Sequence, residues 1–177
     1  MFSPGMRDGH SSIGSLMMAR RMYPAVLGAL LSAALHAQAG PHCQVVPKSM
    51  AAMHGCYRPL LVFSPSATDA RLRRQAALVD EAADDMMDRF VLFTPVVADE
   101  NRVNPPVDAP WTKLPEREAA VVRQRFKVPT DAFMVLLLDE DGTVFLRSPG
   151  PVAADRLNTV IDRTGRRQEE MRRLHAN

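Results

Sequence analysis

Apolar residues follow two different spacings along the chain, and the alternation between them predicts strands and helices. Uninterrupted apolar runs at Pro59–Phe63 and Phe90–Phe93 are typical of strands buried on both faces. Between them, apolar residues recur every three or four positions from Leu72 to Met86, which predicts one amphipathic helix. The core is therefore predicted to begin with a strand–helix–strand unit.

The same alternation continues in the second half of the chain. Glu116–Phe126 is predicted to be a helix opened by Pro115 and acidic residues in its first turn. Phe133–Leu138 and Thr143–Leu146 are predicted to form a β-hairpin, and Pro151–Asp162 has the spacing of a last amphipathic helix. This half is therefore a helix followed by a strand–strand–helix unit.

Two connecting segments have no clear period. Val97–Pro115 contains four prolines and the sole tryptophan, Trp111. We expect the indole of Trp111 to anchor this loop to the domain rather than to bind a ligand. The turn Asp139–Gly142 is acidic, but it is too short for a twelve-residue calcium loop. We expect it to be a solvated turn.

The order of these elements predicts the fold class. A βαβ unit joined by a helix to a ββα unit gives an α/β, thioredoxin-like fold with a mixed four-stranded sheet and helices on both faces. The first two strands should be parallel and the last two antiparallel.

Three stretches also resemble a known family. The stretches that carry this resemblance are RPLLVFSPSATDARLRRQ, the hairpin with the acidic turn Asp139–Gly142, and IDRTGRRQEEMRR. The chain looks like the bacterial family catalogued as domain of unknown function 4174 over about residues 56–173. The resemblance implies an exported thioredoxin-like domain without an established activity. One departure is Arg163-Thr164-Gly165, where the family pattern leads us to expect a Met-Pro-like turn.

Residues 1–39 have the parts of a secretory signal peptide. Arg20 and Arg21 form a positive segment, Ala25–Leu35 is uncharged and apolar, and Ala37-Gln38-Ala39 is a small-x-small cleavage site. The apolar segment is shorter than the roughly 20 residues that span a bilayer. We therefore expect cleavage near Ala39–Gly40 and export to the periplasm or beyond the cell.

The sequence divides the chain into four predicted parts. We expect the true start of the signal peptide at Met17 or Met18, and a lead-in with a predicted disulfide follows it at 40–57. The thioredoxin-like domain is expected at 58–163 and an Arg-rich tail at 164–177.

Charge limits the classes of partner. The formal charge is +2, but without residues 1–39 the chain keeps 19 basic and 19 acidic residues and is formally neutral. A general basic surface for nucleic acid is therefore not expected. The arginines of the tail could bind an acidic partner, or they could belong to a charged helix end partly neutralised by Glu169 and Glu170.

Cys43 and Cys56 are the only cysteines in the sequence. In an exported protein, an even number of cysteines favours a structural disulfide, which would stabilise a loop of about 14 residues by about 3 kcal/mol. A redox-active pair is a second interpretation, and a zinc site that adds His42 and His54 is a third.

The turn after the first strand is where a thioredoxin carries its Cys-x-x-Cys motif. Here Thr68-Asp69-Ala70-Arg71 occupies that position, so no thiol is available there. The position of the cis-proline that faces the motif falls at Phe133 or Met134, and Pro129 lies too early in the chain. Both halves of a dithiol site are therefore missing, and we assign no catalytic residue, cofactor or metal.

The remaining candidate is a site for a peptide, a protein or a small anion at the start of the first helix. Ser66, Thr68 and Arg71 would line it, although N-capping by Thr68 or Asp69 accounts for the same residues. The leading hypothesis is a non-catalytic exported binding or structural module without a transmembrane segment. The alternative is a thiol-disulfide oxidoreductase that uses the two cysteines.

Overall fold

Four strands form one mixed sheet in the computed structural model, which describes residues 43–99 and 103–176. Their order across the sheet is β2-β1-β3-β4. The predicted signal peptide and His42 lie outside the described residues. The strands are β1 (Arg58–Ser64), β2 (Val91–Val97), β3 (Met134–Leu138) and β4 (Val144–Ser148).

Helices cover both faces of this sheet. The helices α2, α3 and α5 pack on one face and α1 and α4 on the other, as their buried apolar residues show. No helix in the described ranges is long and apolar enough to cross a membrane. The helices are α1 (Met50–Met53), α2 (Ala70–Asp80), α3 (Ala83–Asp88), α4 (Glu116–Arg125), α5 (Ala154–Asp162) and α6 (Gly165–His175).

The strand β1 is central, and its pairing confirms the predicted α/β thioredoxin-like fold. It runs parallel to β2 and antiparallel to β3, and Leu60 is paired with Phe93 on one side and with Leu137 on the other. The strands β3 and β4 form the predicted antiparallel hairpin. Alternate side chains of β1 enter opposite cores, Leu60 on the face of α2 and Leu61 on the face of α4.

The prediction of one helix reaching Met86 is wrong, because the chain breaks at Glu81–Ala82 between α2 and α3. The carboxylate of Asp80, at the end of α2, accepts three backbone N–H groups of the long loop, from Val107, Asp108 and Ala109. These hydrogen bonds hold the pKa of Asp80 below its ordinary value. The loop is thus fixed to the end of α2, while Met86 on α3 still reaches the core.

The long loop is anchored by its main chain as well. The N–H of Phe93 donates to the carbonyl of Pro110 at 2.9 Å, and the N–H of Thr112 donates to the carbonyl of Phe93 at 3.0 Å. A short parallel bridge between Phe93 and Trp111 therefore lies along the outer edge of β2. The Trp111 residue itself stays 38% exposed, so its indole packs the loop less than we predicted.

The predicted disulfide joins Cys43 to Cys56, with their Cα atoms 5.6 Å apart. Cys56 is buried just before β1, whereas Cys43 is exposed. The Tyr57 hydroxyl donates to the carbonyl of Gln44 at 2.7 Å, which holds the same segment. The start of the described chain is thereby fixed to the amino end of β1.

A buried ion-pair network closes the amino end of the sheet. Arg58, the first residue of β1, is fully buried, and its guanidinium lies 3.3 Å from Asp139, 3.3 Å from Glu140 and 2.6 Å from Glu170. The turn Asp139–Gly142 is thus not merely solvated, because its first two carboxylates are buried against Arg58. The network joins β1 to the hairpin turn and to α6.

The arginine-rich end of the chain forms α6, and part of its charge is internal. Arg167 is buried and pairs with Asp88, Asp162 and Glu170. Burial acts to raise the pKa of Glu170, but its bonds to Arg58 and Arg167 outweigh this effect and hold the pKa below its ordinary value. In contrast, Glu169 pairs with the exposed Arg172 and Arg173, as the alternative of a charged helix end predicts.

Replacing Arg58 with methionine should strongly destabilise the fold, because among the described residues the buried Asp139 and Glu140 would keep only Arg166, which lies 3.9 Å and 2.7 Å from them, as a cationic partner. We expect Arg58→Met to lower the free energy of unfolding by about 3–5 kcal/mol in urea titrations at neutral pH. The matched control Arg172→Gln removes an exposed pair and should change it by less than about 1 kcal/mol. Equal effects of the two substitutions would contradict this role for Arg58.

Candidate functional site

The carboxyl ends of the parallel strands β1 and β2 meet at the edge of the sheet opposite the Arg58 network. Ligands of open α/β sheets commonly bind at such an edge, outside the carboxyl ends of the strands. The helix α2 begins there, only a few residues after Ser64 ends β1. The three sequence-predicted residues Ser66, Thr68 and Arg71 all lie in this connection or in the first turn of α2.

Local hydrogen bonds occupy the start of α2. Asp69 is the N-cap, and its Oδ1 accepts the backbone N–H of Arg71 at 2.8 Å. The hydroxyls of Ser66 and Thr68 lie 2.9 Å apart, and the N–H of Thr68 donates to Ser66 Oγ at 3.1 Å. Of the two N-caps that the sequence left open, the structure selects Asp69.

The charge of Arg71 is balanced within the same turn. Its Nε and Nη2 donate to the two carboxylate oxygens of Asp69 at 3.1 Å and 2.6 Å. This side-chain hydrogen bond is the main reason that the pKa of Asp69 lies below its ordinary value. The turn thus presents no excess positive charge, and a ligand role for Ser66, Thr68 and Arg71 stays a prediction.

The guanidinium of Arg71 also lies over the ring of Phe133, 4.9 Å from its centre. Phe133 comes just before β3, and Arg71 lies in the first turn of α2. The two residues that the sequence predicts at the positions of the two halves of a dithiol site therefore pack on each other.

Arg123, on α4, is the functional candidate that sequence reasoning missed. Its Nη2 donates to the carbonyls of Ser64 at 3.2 Å and Val96 at 2.6 Å, and its Nη1 donates to that of Pro129 at 2.8 Å. Ser64 ends β1 and Val96 lies near the end of β2, so the guanidinium closes the carboxyl ends of both strands. The sequence did hold a signal, because Arg123 falls four residues after Ala119 on the inward face of α4.

The positive charge of Arg123 has no carboxylate partner in the described part of the chain. The residue is only 9% exposed, and this burial lowers the pKa of its guanidinium, although it stays a cation at neutral pH. Its contacts are neutral carbonyls and the ring of Phe63, whose centre lies 5.4 Å away. An anion would therefore be a favourable neighbour for this group.

A cleft of about 720 Å³ opens beside Arg123. One wall is the end of β2 with Pro95 and Val97, and the other is the segment that leads into α4, with Leu114 and Pro115. The volume is in the range of small-molecule and short-peptide sites. Its charged lining residues are Arg123, Lys48, Lys113, Asp99 and Glu116.

The cysteines contribute nothing to this edge, because Cys43 and Cys56 are joined before the amino end of β1. Across residues 43–99 and 103–176 there is no group of three or more His, Cys, Asp or Glu side chains that could hold a metal ion. The zinc interpretation also needed His42, which lies outside the described residues. The edge is therefore characterised by a buried cation and a cleft.

Comparison with known proteins supports the fold and leaves the chemistry open. A family described as domain of unknown function (DUF4174) matches residues 49–170. An N-terminally modified Prx1a from Plasmodium yoelii is similar in structure with a TM-score of 0.50 and 16% identity, covering 64% of this chain and 76% of that chain. A reduced 2-Cys peroxiredoxin from Plasmodium vivax gives a TM-score of 0.47 and 16% identity, covering 62% and 78%. No curated protein matches the chain significantly.

The N-cap assignment can be tested by two neighbouring substitutions. Asp69→Ala removes the side chain that accepts the N–H of Arg71 and should lower the free energy of unfolding by about 1 kcal/mol in urea titrations. Thr68→Ala removes only a hydroxyl contact with Ser66 and should cost less than about 0.5 kcal/mol. The assignment is wrong if Thr68→Ala proves the more damaging change.

Proposed function

The chain belongs to the DUF4174 family, and on that premise we propose that it is an exported thioredoxin-like binding module whose ligand occupies the cleft beside Arg123. One observation carries the proposal. A buried guanidinium that pairs with no carboxylate of the described residues lines a cleft at the carboxyl edge of β1 and β2. The disulfide, by contrast, lies at the opposite end of β1. Peptides, proteins and small anions are the classes of ligand that we consider.

Export is part of this proposal and rests on two features. A disulfide persists in oxidising compartments, and Cys43 and Cys56 are joined. The segment 1–39 has the composition of a signal peptide, so the mature chain would begin at Gly40. We take 40–57 as the lead-in, 58–163 as the thioredoxin-like domain and 164–177 as a C-terminal extension that packs against it through Arg167.

A thiol-disulfide oxidoreductase is the second candidate function, and one observation favours it. Cys43 is an exposed residue, and a thiol-disulfide exchange begins with attack of an external thiolate on one sulfur of the disulfide. Against it, the disulfide lies away from the edge where α2 begins, and Cys56 is buried. The balance favours a structural disulfide.

The two functions differ in an insulin-reduction assay with dithiothreitol as the electron donor. We expect the full chain to leave the rate at that of dithiothreitol alone, because no thiol lies at the edge where a thioredoxin works. The double variant Cys43→Ser/Cys56→Ser is the matched control. Turnover by the wild-type chain that this variant loses would establish the oxidoreductase and overturn the binding module.

The position of the binding site can be mapped on the same full chain by NMR. In ¹⁵N–¹H spectra, butanol and butyrate should produce saturable shifts at the amides of Ala98, Leu114 and Ala119, which border the cleft. The amides of Ser66 and Thr68 provide the comparison at the start of α2. Shifts confined to those two residues, or no saturable shift at all, would overturn the location that we propose.

A further inference from the structure

The cleft beside Arg123 combines three features that restrict its ligand: excess positive charge, an apolar wall and an open strand edge. What these features say about the ligand rests on the proposed function, in which the cleft is the binding site.

Arg123 still has hydrogen-bonding capacity on the side of the cleft. A guanidinium has five N–H donors, and three of them serve the carbonyls of Ser64, Val96 and Pro129. The residue lines the cleft, so its remaining donors are placed to meet a ligand there. Hydrogen bonds from a cation to a carboxylate are roughly twice as strong as those between neutral groups.

Two lysines strengthen the preference for an anion. Lys48 and Lys113 are exposed and line the cleft on the side of the lead-in and of the segment before α4. Two carboxylates also line it: Asp99, whose Oδ1 accepts the N–H of Ala67 at 3.0 Å, and the exposed Glu116. Among the described lining residues, three cations outnumber two carboxylates, and Arg123 is the buried one of the three.

The outer edge of β2 is open where it enters the cleft. The N–H and C=O of Phe93 bond to the segment 110–112 on that edge, whereas Ala98 donates to Ser64 of β1 on the inner side. Backbone groups alternate along a strand, so the carbonyl of Pro95 and the N–H of Val97 point to the outer edge as well. Both residues line the cleft, and main-chain groups there can pair with an extended peptide.

Apolar residues make up most of the remaining wall of the cleft, and Thr130 is its one uncharged polar residue among those described. Besides Pro95 and Val97, the lining includes Val103, Leu114, Ala119 and Ala120. Apolar side chains of a peptide can be buried on these walls while its backbone pairs with β2. A free carboxylate at the end of that peptide would be placed to meet the excess positive charge.

The geometry points to a short extended peptide with apolar last residues, bound in this cleft by its C-terminal carboxylate. Arg123 and the two lysines would receive the carboxylate, and the outer edge of β2 would receive the peptide backbone. No covalent step is involved.

The test compares two forms of one probe, acetyl-Ala-Val-Ala-Leu with a free carboxylate and the same peptide with an amidated end. Titration calorimetry on the full chain measures affinity, and the fluorescence of Trp111, the sole tryptophan, gives a second signal near Lys113. We expect the acid to bind at least about tenfold tighter than the amide, with a difference that shrinks as salt is added.

Variants must separate binding from folding. Arg123 also ties three backbone carbonyls, so the deciding substitutions are Lys48→Gln and Lys113→Gln, each expected to weaken binding of the acid about threefold. Lys127→Gln is the matched control, because Lys127 is the remaining lysine and is exposed outside the cleft lining. The inference fails if all three substitutions have the same effect.

The other outcomes are equally decisive. Equal affinity for acid and amide, with shifts in the spectra still centred on the cleft, overturns the carboxylate inference and leaves the proposed function standing. Octanoate that binds as tightly as the acid peptide shows that the backbone edge adds nothing, and this overturns the peptide as the occupant. If neither peptides nor small fragments produce saturable shifts in the cleft, the inference and the proposed function fall together.

Discussion

The pairing of buried Arg58 with Asp139, Glu140 and Glu170 is the constraint on which the rest of this fold depends. Arg58 opens the central strand, and its partners come from the hairpin turn and from α6. A charge that is fully buried must find partners, so these three segments have to meet in one arrangement. That arrangement fixes β1, and thereby the position of its carboxyl end, where the cleft opens.

Each end of the sheet has a buried arginine, and the two arginines differ in the partners of their guanidinium groups. At the amino end, Arg58 is surrounded by carboxylates, and the disulfide and α6 close the surface around it. At the carboxyl end, Arg123 meets only backbone carbonyls and the ring of Phe63 within the described residues. The first end is suited to stability and the second to an anionic ligand. The start of α2, where a thioredoxin has its thiols, is closed by Asp69 and Arg71.

The sequence allowed much of the fold to be predicted, because apolar spacing and turn residues are local signals. It could not show contacts that depend on distant segments. Arg58 and Glu170 are 112 residues apart. The two carboxylates of the hairpin turn pair with the same distant arginine, so nothing near the turn indicated that they would be buried. Asp80, just before the break after α2, bonds to a loop 27–29 residues later, a contact that no local signal indicated. Arg123 was missed because an arginine on a helix is normally assigned to the solvent-facing side.

Arg123, and neither Arg71 nor Arg58, is the arginine that we propose to receive the ligand. The most direct measurement is an NMR titration of the arginine side-chain Nε–Hε signals of the full chain with acetyl-Ala-Val-Ala-Leu as the free acid. We expect a saturable shift of the Arg123 signal, while the signals of Arg58 and Arg71 stay in place because their carboxylate partners already hold them. A shift of Arg71 with Arg123 unchanged would contradict the account and place the ligand at the start of α2.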